Sequence, residues 1–80
     1  MPRLTLFQRD DCHLCDHALE IMAQARAPDF DSRWVDDDPV LEARYGTRVP
    51  VLRDEDSGCE LDWPFDEPAL RQFLAGSDNA

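Results

Sequence analysis

The chain contains no lysine. All eight of its basic residues are arginine, set against eighteen Asp and Glu, and the formal net charge is −10. A surface so short of positive charge repels phosphates, which argues against nucleic-acid binding. It repels anionic lipid headgroups as well, so no membrane-surface role is expected. No apolar run approaches the ~18 residues needed to cross a bilayer. The apolar stretch that follows Met1-Pro2-Arg3 is too short for the core of a secretion signal. A cytoplasmic location is therefore expected. Cysteine is also scarce, with only three residues, too few for a disulfide scaffold. Eighty residues with 42% hydrophobic content predict one small domain, 1–80, with a modest core and no linker or repeat.

Two of the three cysteines form a C-x-x-C pair, Cys12-His13-Leu14-Cys15. The pair lies between an apolar, strand-like start and an amphipathic helical run. Thiols at that spacing at a helix start can form and break a disulfide reversibly. The helix N-terminus favours the thiolate of the first, which is the attacking species, and the second resolves the mixed disulfide. The same spacing also supplies half of a zinc site or two inert cysteines. In a reducing compartment it is more often catalytic or metal-binding than structural.

The rest of the chain supplies context. Arg3–Gln8 reads as a strand, and Arg9-Asp10-Asp11 as a polar turn able to cap the next helix. That helix runs from Cys12 to about Arg26, with Leu14, Ala18, Ile21, Met22 and Ala25 on its apolar stripe. His13, His17, Glu20 and Gln24 lie on its polar face. Phe30–Asp36 is a second strand. Asp38-Pro39 is an N-cap with proline at the first helical position, and Gly46 suits the end of that short helix. Arg48–Arg53 is a third strand, Asp54–Gly58 a turn, and Cys59–Asp62 a fourth strand paired with the third. Asp66 caps a last helix, Glu67–Ala75, and Gly76–Ala80 is a frayed tail. The order β-α-β-α-β-β-α predicts an α/β fold with a mixed four-stranded sheet and a right-handed first crossover.

Carried by Cys12-His13-Leu14-Cys15 after the first strand and Val49-Pro50-Val51-Leu52 at the third, the chain resembles a thioredoxin-like fold of the small glutaredoxin-like type. Asp36–Gly46, with Pro39, Leu41 and Tyr45, resembles the glutaredoxin-like family in particular. The resemblance covers about residues 3–75. It implies that Pro50 is cis and lies beside the cysteines, leaving the Val49 backbone free for an extended substrate. It also implies that Arg9, three residues before Cys12, matches a basic residue that contacts glutathione's carboxylate. Two places depart from glutaredoxins. His-Leu stands inside the C-x-x-C in place of an aromatic or proline. Trp63-Pro64-Phe65-Asp66 stands where glutaredoxins carry Gly-Gly before the last helix, which predicts obstruction of glutathione.

Other residues have simpler readings. His13 and His17 at i, i+4, extended by Glu20, could grip zinc, but an exposed polar face accounts for them. Cys59 is expected to be a small buried hydrophobe and Trp34 a core residue. Trp63 is either a lid on the core or a substrate-facing rim. Asp36-Asp37-Asp38 reads as capping and surface charge, since it lacks the glycine and distal glutamate of a calcium loop. Asp10 and Asp11 oppose a thiolate at Cys12, while a cationic His13 would favour it.

The expected function is a thiol–disulfide oxidoreductase in which Cys12 attacks and Cys15 releases the reduced product. Arg9, Arg48, Val49 and Pro50 are the expected substrate-binding residues. No metal and no organic cofactor are expected. The expected partner is a disulfide-containing protein met by a monomer, with a protein reductase or glutathione as electron donor. The rival readings are a glutathione-dependent glutaredoxin, a non-enzymatic metal carrier and an interaction module.

Overall fold

The computed structural model describes residues 3–10 and 12–78. Asp11, part of the expected capping turn, lies outside them, as do Met1, Pro2, Asn79 and Ala80. The elements run β1 (Leu4–Gln8), α1 (His13–Gln24), β2 (Phe30–Trp34), a 3₁₀ turn (Val35–Asp37), α2 (Pro39–Tyr45), β3 (Val51–Asp54), β4 (Glu60–Asp62) and α3 (Glu67–Asp78). The sheet is mixed and four-stranded, in the order β2-β1-β3-β4. β1 is parallel to β2, with Leu4 opposite Phe30 and Gln8 opposite Trp34. It is antiparallel to β3, with Phe7 opposite Val51. β3 and β4 form an antiparallel hairpin, with Val51 opposite Asp62.

β1 is central, so all five of its residues are buried and its two faces feed two separate cores. Leu4 and Leu6 join Leu52 of β3 beneath α1 and α3, packed with Ala18, Met22, Phe65 and Leu70. Phe7 points the other way, to Val51, Val35 and Tyr45 of α2. Side chains alternate along a strand, so adjacent residues such as Leu6 and Phe7 bind helices to opposite faces. Phe7 and Tyr45 stack with ring centroids 4.1 Å apart.

Several boundaries differ from the sequence reading. The third strand starts at Val51 rather than Arg48, because the Arg48 and Val49 amides donate to the Tyr45 carbonyl at 2.8 and 3.0 Å. Those amides close the end of α2 and leave the ladder to begin after Pro50, which has no N–H to contribute. The second strand stops at Trp34, where the chain turns into the 3₁₀ segment. α3 continues through Gly76 to Asp78 instead of ending at Ala75. The capping expectations for the other two helices hold. The Asp38 side chain accepts from the Val40 amide at 2.9 Å, and that of Asp66 from the Ala69 amide at 2.9 Å.

Three burial expectations fail. Trp34 is 41% exposed, because it ends the edge strand β2, of which Phe30 packs on the core. Leu14 is 49% exposed, because the buried line of α1 is Cys15, Ala18, Met22 and Ala25. That line has the same helical spacing, displaced by one residue from the apolar stripe read at Leu14. Cys59 is exposed rather than buried. It precedes the edge strand β4, just after Gly58 takes a φ of 78° to turn the chain.

Candidate active site

Strand direction collects the functional residues. β1, β2 and β4 finish at the end of the sheet where β3 begins. Arg9, Asp10, Cys12, the 3₁₀ turn, Val49-Pro50 and Trp63-Pro64 therefore gather at one end, although they are spread over more than fifty residues of chain. Cys59 precedes β4 and so lies at the opposite end.

Cys12 is itself the N-cap of α1, a place the sequence reading had given to Asp10 and Asp11. Its sulfur accepts the Cys15 amide at 3.2 Å, and its carbonyl accepts the Asp16 amide at 3.1 Å. A first-turn N–H and the positive end of the helix thus both face the Cys12 sulfur. Cys12 is half-buried, whereas Cys15, one turn further in, is only 2% exposed. Burial and the hydrogen bond with Cys12 push the Cys15 thiol up to about 12. The two thiols are chemically distinct: one is reachable and faces amides, and the other is sheltered and held as a neutral thiol. Both are free cysteines.

The two arginines at this end are held internally. The Arg9 guanidinium donates to Asp36 at 2.7 Å, to both Glu42 oxygens at 2.8 and 2.9 Å, and to the Gly46 carbonyl at 2.8 Å. Asp36 also accepts the Asp10 amide at 3.1 Å, so this carboxylate fixes the segment that leads into Cys12. The sequence reading has Asp36 as capping and surface charge, without this contact. A basic residue just before the motif and an acidic strand end were the available signals, but only the fold brings them together. Arg48 donates to Asp62 at 2.7 Å and to Glu60 at 2.8 Å, and its guanidinium lies 5.2 Å from the centroid of the Tyr45 ring. The Tyr45 hydroxyl donates to Glu60 at 2.6 Å, and Arg53 adds a third donor at 3.0 Å. Burial alone would raise the Glu60 carboxyl. The bonds from Tyr45, Arg48 and Arg53 outweigh it and hold the group at about 2.

The Val49–Pro50 peptide bond is cis, as the resemblance implied, and Pro50 is fully buried. The Val49 backbone is not wholly free, since its amide donates to Tyr45. The Pro50 carbonyl accepts the Trp63 amide at 3.2 Å, which ties this loop to the end of β4. Trp63 is half-buried against the α1–α3 core. It meets Phe65 edge to face at 5.1 Å and His17 at 6.5 Å. His13, His17, Glu20 and Gln24 are exposed, as expected of the polar face of α1. Among the described residues no three His, Cys, Asp or Glu side chains converge as a metal site, and no helix is long and apolar enough to cross a membrane.

Comparison with known proteins agrees with this architecture. The model of the glutaredoxin-like domain family (DUF836) matches residues 3–75. The chain is 64% identical to a structural-genomics target protein, XcR50, from X. campestris. The X-ray structure of that protein superposes with a TM-score of 0.87 and covers 91% of this chain and 96% of that one. Its solution structure gives 0.85, with 92% and 94% covered. Protein Ne2328 from Nitrosomonas europaea, at 22% identity, shares the fold with a TM-score of 0.71, covering 90% and 89%. No curated protein matches the chain. The family match runs from the residue before β1 into α3, and takes in both the cysteine pair and the cis proline: the chain belongs to the glutaredoxin-like domain family, built on the thioredoxin fold.

Proposed function

We propose that this protein is a thiol–disulfide oxidoreductase that reduces disulfides in protein substrates. The observation that carries the reading is the asymmetry of the two thiols. Cys12 is reachable and caps α1, whereas Cys15 is buried and kept neutral with its thiol at about 12. The Cys12 thiolate attacks one sulfur of the substrate disulfide. A Cys12–substrate S–S bond forms and the substrate S–S bond breaks, expelling the first substrate thiolate. Cys15 then loses its proton to water or to the departing sulfur and attacks the Cys12 sulfur. The Cys12–Cys15 disulfide forms and the second substrate thiolate leaves. Two electrons pass to the substrate, and an external dithiol or protein reductase restores the enzyme.

The Val49 backbone would meet the substrate beside Cys12, with buried Pro50 fixing the loop that carries it. Arg9 and Arg48 frame the site rather than grip an anionic substrate, because each already holds two carboxylates. Exposed Leu14 beside Cys12 offers apolar contact to a polypeptide. These features favour a protein disulfide over glutathione, whose carboxylates would have to displace existing ion pairs in a chain of net charge −10.

The test is turnover of a model protein disulfide with a dithiol donor. Cys12→Ser should reduce it to the uncatalysed rate. Cys15→Ser should stop after the first attack and yield a mixed disulfide at Cys12, visible by mass spectrometry. A mixed disulfide trapped at Cys15 in the Cys12→Ser variant would reverse the roles. No turnover by the parent protein would remove the enzyme reading.

A further inference from the structure

Arg9 is the basic side chain on the segment that delivers Cys12, and it lies within electrostatic reach of the Cys12 sulfur. Such a cation would be expected to pair with a thiolate there and stabilise it. Instead its guanidinium is bonded to the 3₁₀ turn and to α2. Both of its Nη nitrogens are engaged: Nη1 with Asp36, and Nη2 with both Glu42 oxygens and the Gly46 carbonyl. The fold accommodates this grip. Gly46 follows α2, and a Cβ there would collide with the Glu42 carbonyl oxygen and side chain. Glycine at that position lets the Glu42 carboxylate lie across the helix end, where it meets Arg9. The Glu42 residue sits mid-helix, thirty-three positions from Arg9, and nothing in the thiol chemistry requires it.

We propose that Glu42, assisted by Asp36, is a positioning residue that withholds Arg9 from the Cys12 thiolate and so keeps the dithiol reducing. The inference rests on the reading of Cys12 as the attacking thiol. Its physical basis is that the potential of a dithiol follows the stability of its thiolate. A strongly stabilised thiolate stabilises the reduced form and makes the protein an oxidant, whereas a less stabilised one makes it a reductant. A free arginine at this position would stabilise the reduced form and make the pair more oxidising. The clamp neutralises that charge and also fixes its place.

The experiment follows the pH profile of Cys12 alkylation by iodoacetamide, read on the Cys12 peptide by mass spectrometry. It also measures the equilibrium potential of the Cys12–Cys15 pair against a dithiol buffer. Among the described residues the other ionisable groups near this end of the sheet are Asp10, His13, Cys15, Asp16, His17, Asp36, Asp37, Tyr45, Arg48, Glu60 and Asp62. All but Asp36 are unchanged in every variant, so differences between variants report on the clamp. Glu42→Gln should lower the pH of half-maximal alkylation by roughly half a unit and make the pair more oxidising. Glu42→Ala should shift both further. Arg9→Met should raise the midpoint, and in the Arg9→Met background Glu42→Gln should have lost most of its effect.

Equal shifts with and without Arg9 would show that Glu42 acts by its own field and would overturn the proposal. An unmoved midpoint alongside a lowered melting temperature would make the clamp purely a scaffold. If Arg9→Met does not fold, Asp36→Asn replaces it. Withholding requires that variant also to lower the midpoint, and a rise or no change refutes it. Neither readout uses a protein substrate, so failure to reduce protein disulfides would be seen separately.

Discussion

At one end of the sheet β1, β2 and β4 finish and β3 begins, and there the molecule brings together Cys12, Cys15, Arg9, Arg48, Pro50 and Trp63. At the other end it has an open depression of about 580 Å³, lined by Arg3, Thr5, Asp29, Asp31, Arg33 and Glu55, and the exposed Cys59. The far end has a concavity and a more accessible thiol, yet among the described residues it lacks the parts of a reaction centre. Cys59 has neither a partner cysteine nor a helix N-terminus, and the concavity is polar, with Thr5 donating to Glu55 at 2.8 Å. Part of the cause is the length of α2. At seven residues it covers Phe7 and Val51 near the site and leaves Thr5 and Arg53 on the same face. Those positions are polar and satisfied by Glu55. The comparison separates a hollow in the surface from a site. Chemistry follows the topological convergence of unlike groups, not the volume that a short helix leaves uncovered.

The largest expected effect concerns Glu60, which joins the two ends by taking Tyr45, Arg48 and Arg53 together. Its carboxyl lies at about 2 in the folded protein, against 4.5 ordinarily. The folded state therefore binds that proton more weakly than the unfolded chain. The resulting stabilisation is complete above pH 4.5 and disappears as the pH falls through about 2. It should amount to the order of 2–3 kcal/mol in acid unfolding. Glu60→Gln should be less stable at neutral pH and show a flatter stability curve across that window. Parallel curves for variant and parent would mean the network does not bind the proton differently on folding.

A smaller effect is expected at Trp63, which stands where glutaredoxins carry glycine. Trp63→Gly should raise glutathione-supported turnover relative to dithiol-supported turnover by about tenfold, equivalent to one regained contact. Trp63 packs on the core, so the ratio of donors, not the absolute rate, is the measurement. An unchanged ratio would place the discrimination in charge rather than in bulk. At the far end, Glu55→Gln weakens the bonds from Thr5 and Arg53. It should cost about 1 kcal/mol in denaturant unfolding and leave turnover where it was; a loss of turnover would show that the two ends are coupled. The smallest effect is at Cys59. Cys59→Ala should change stability by no more than about 0.5 kcal/mol, as is usual for exposed positions, and should not alter turnover. A marked loss of rate would give the far end a redox role after all.

The order of elements, the cysteine pair at the head of α1, the Asp38 and Asp66 caps and the proline at the third strand were all legible in the sequence. Each depends on neighbours within a few residues: helical periodicity, a capping side chain, a proline without an N–H. Their order along the chain also sufficed to suggest the thioredoxin fold. Local pattern could not rank apolar residues by burial. Leu14 and Cys15 are adjacent and both apolar, and one helical step decides which faces the sheet. Trp34 and Cys59 looked like core residues, but both lie at the sheet margins, where strand order leaves them uncovered. Nor could the sequence say what its arginines do. Arg9 reads as a substrate-binding cation until Asp36 and Glu42 arrive from twenty-seven and thirty-three residues away. Ion pairs depend on separation in space, and that separation exists only once β1, the 3₁₀ turn and α2 have packed around Phe7 and Tyr45.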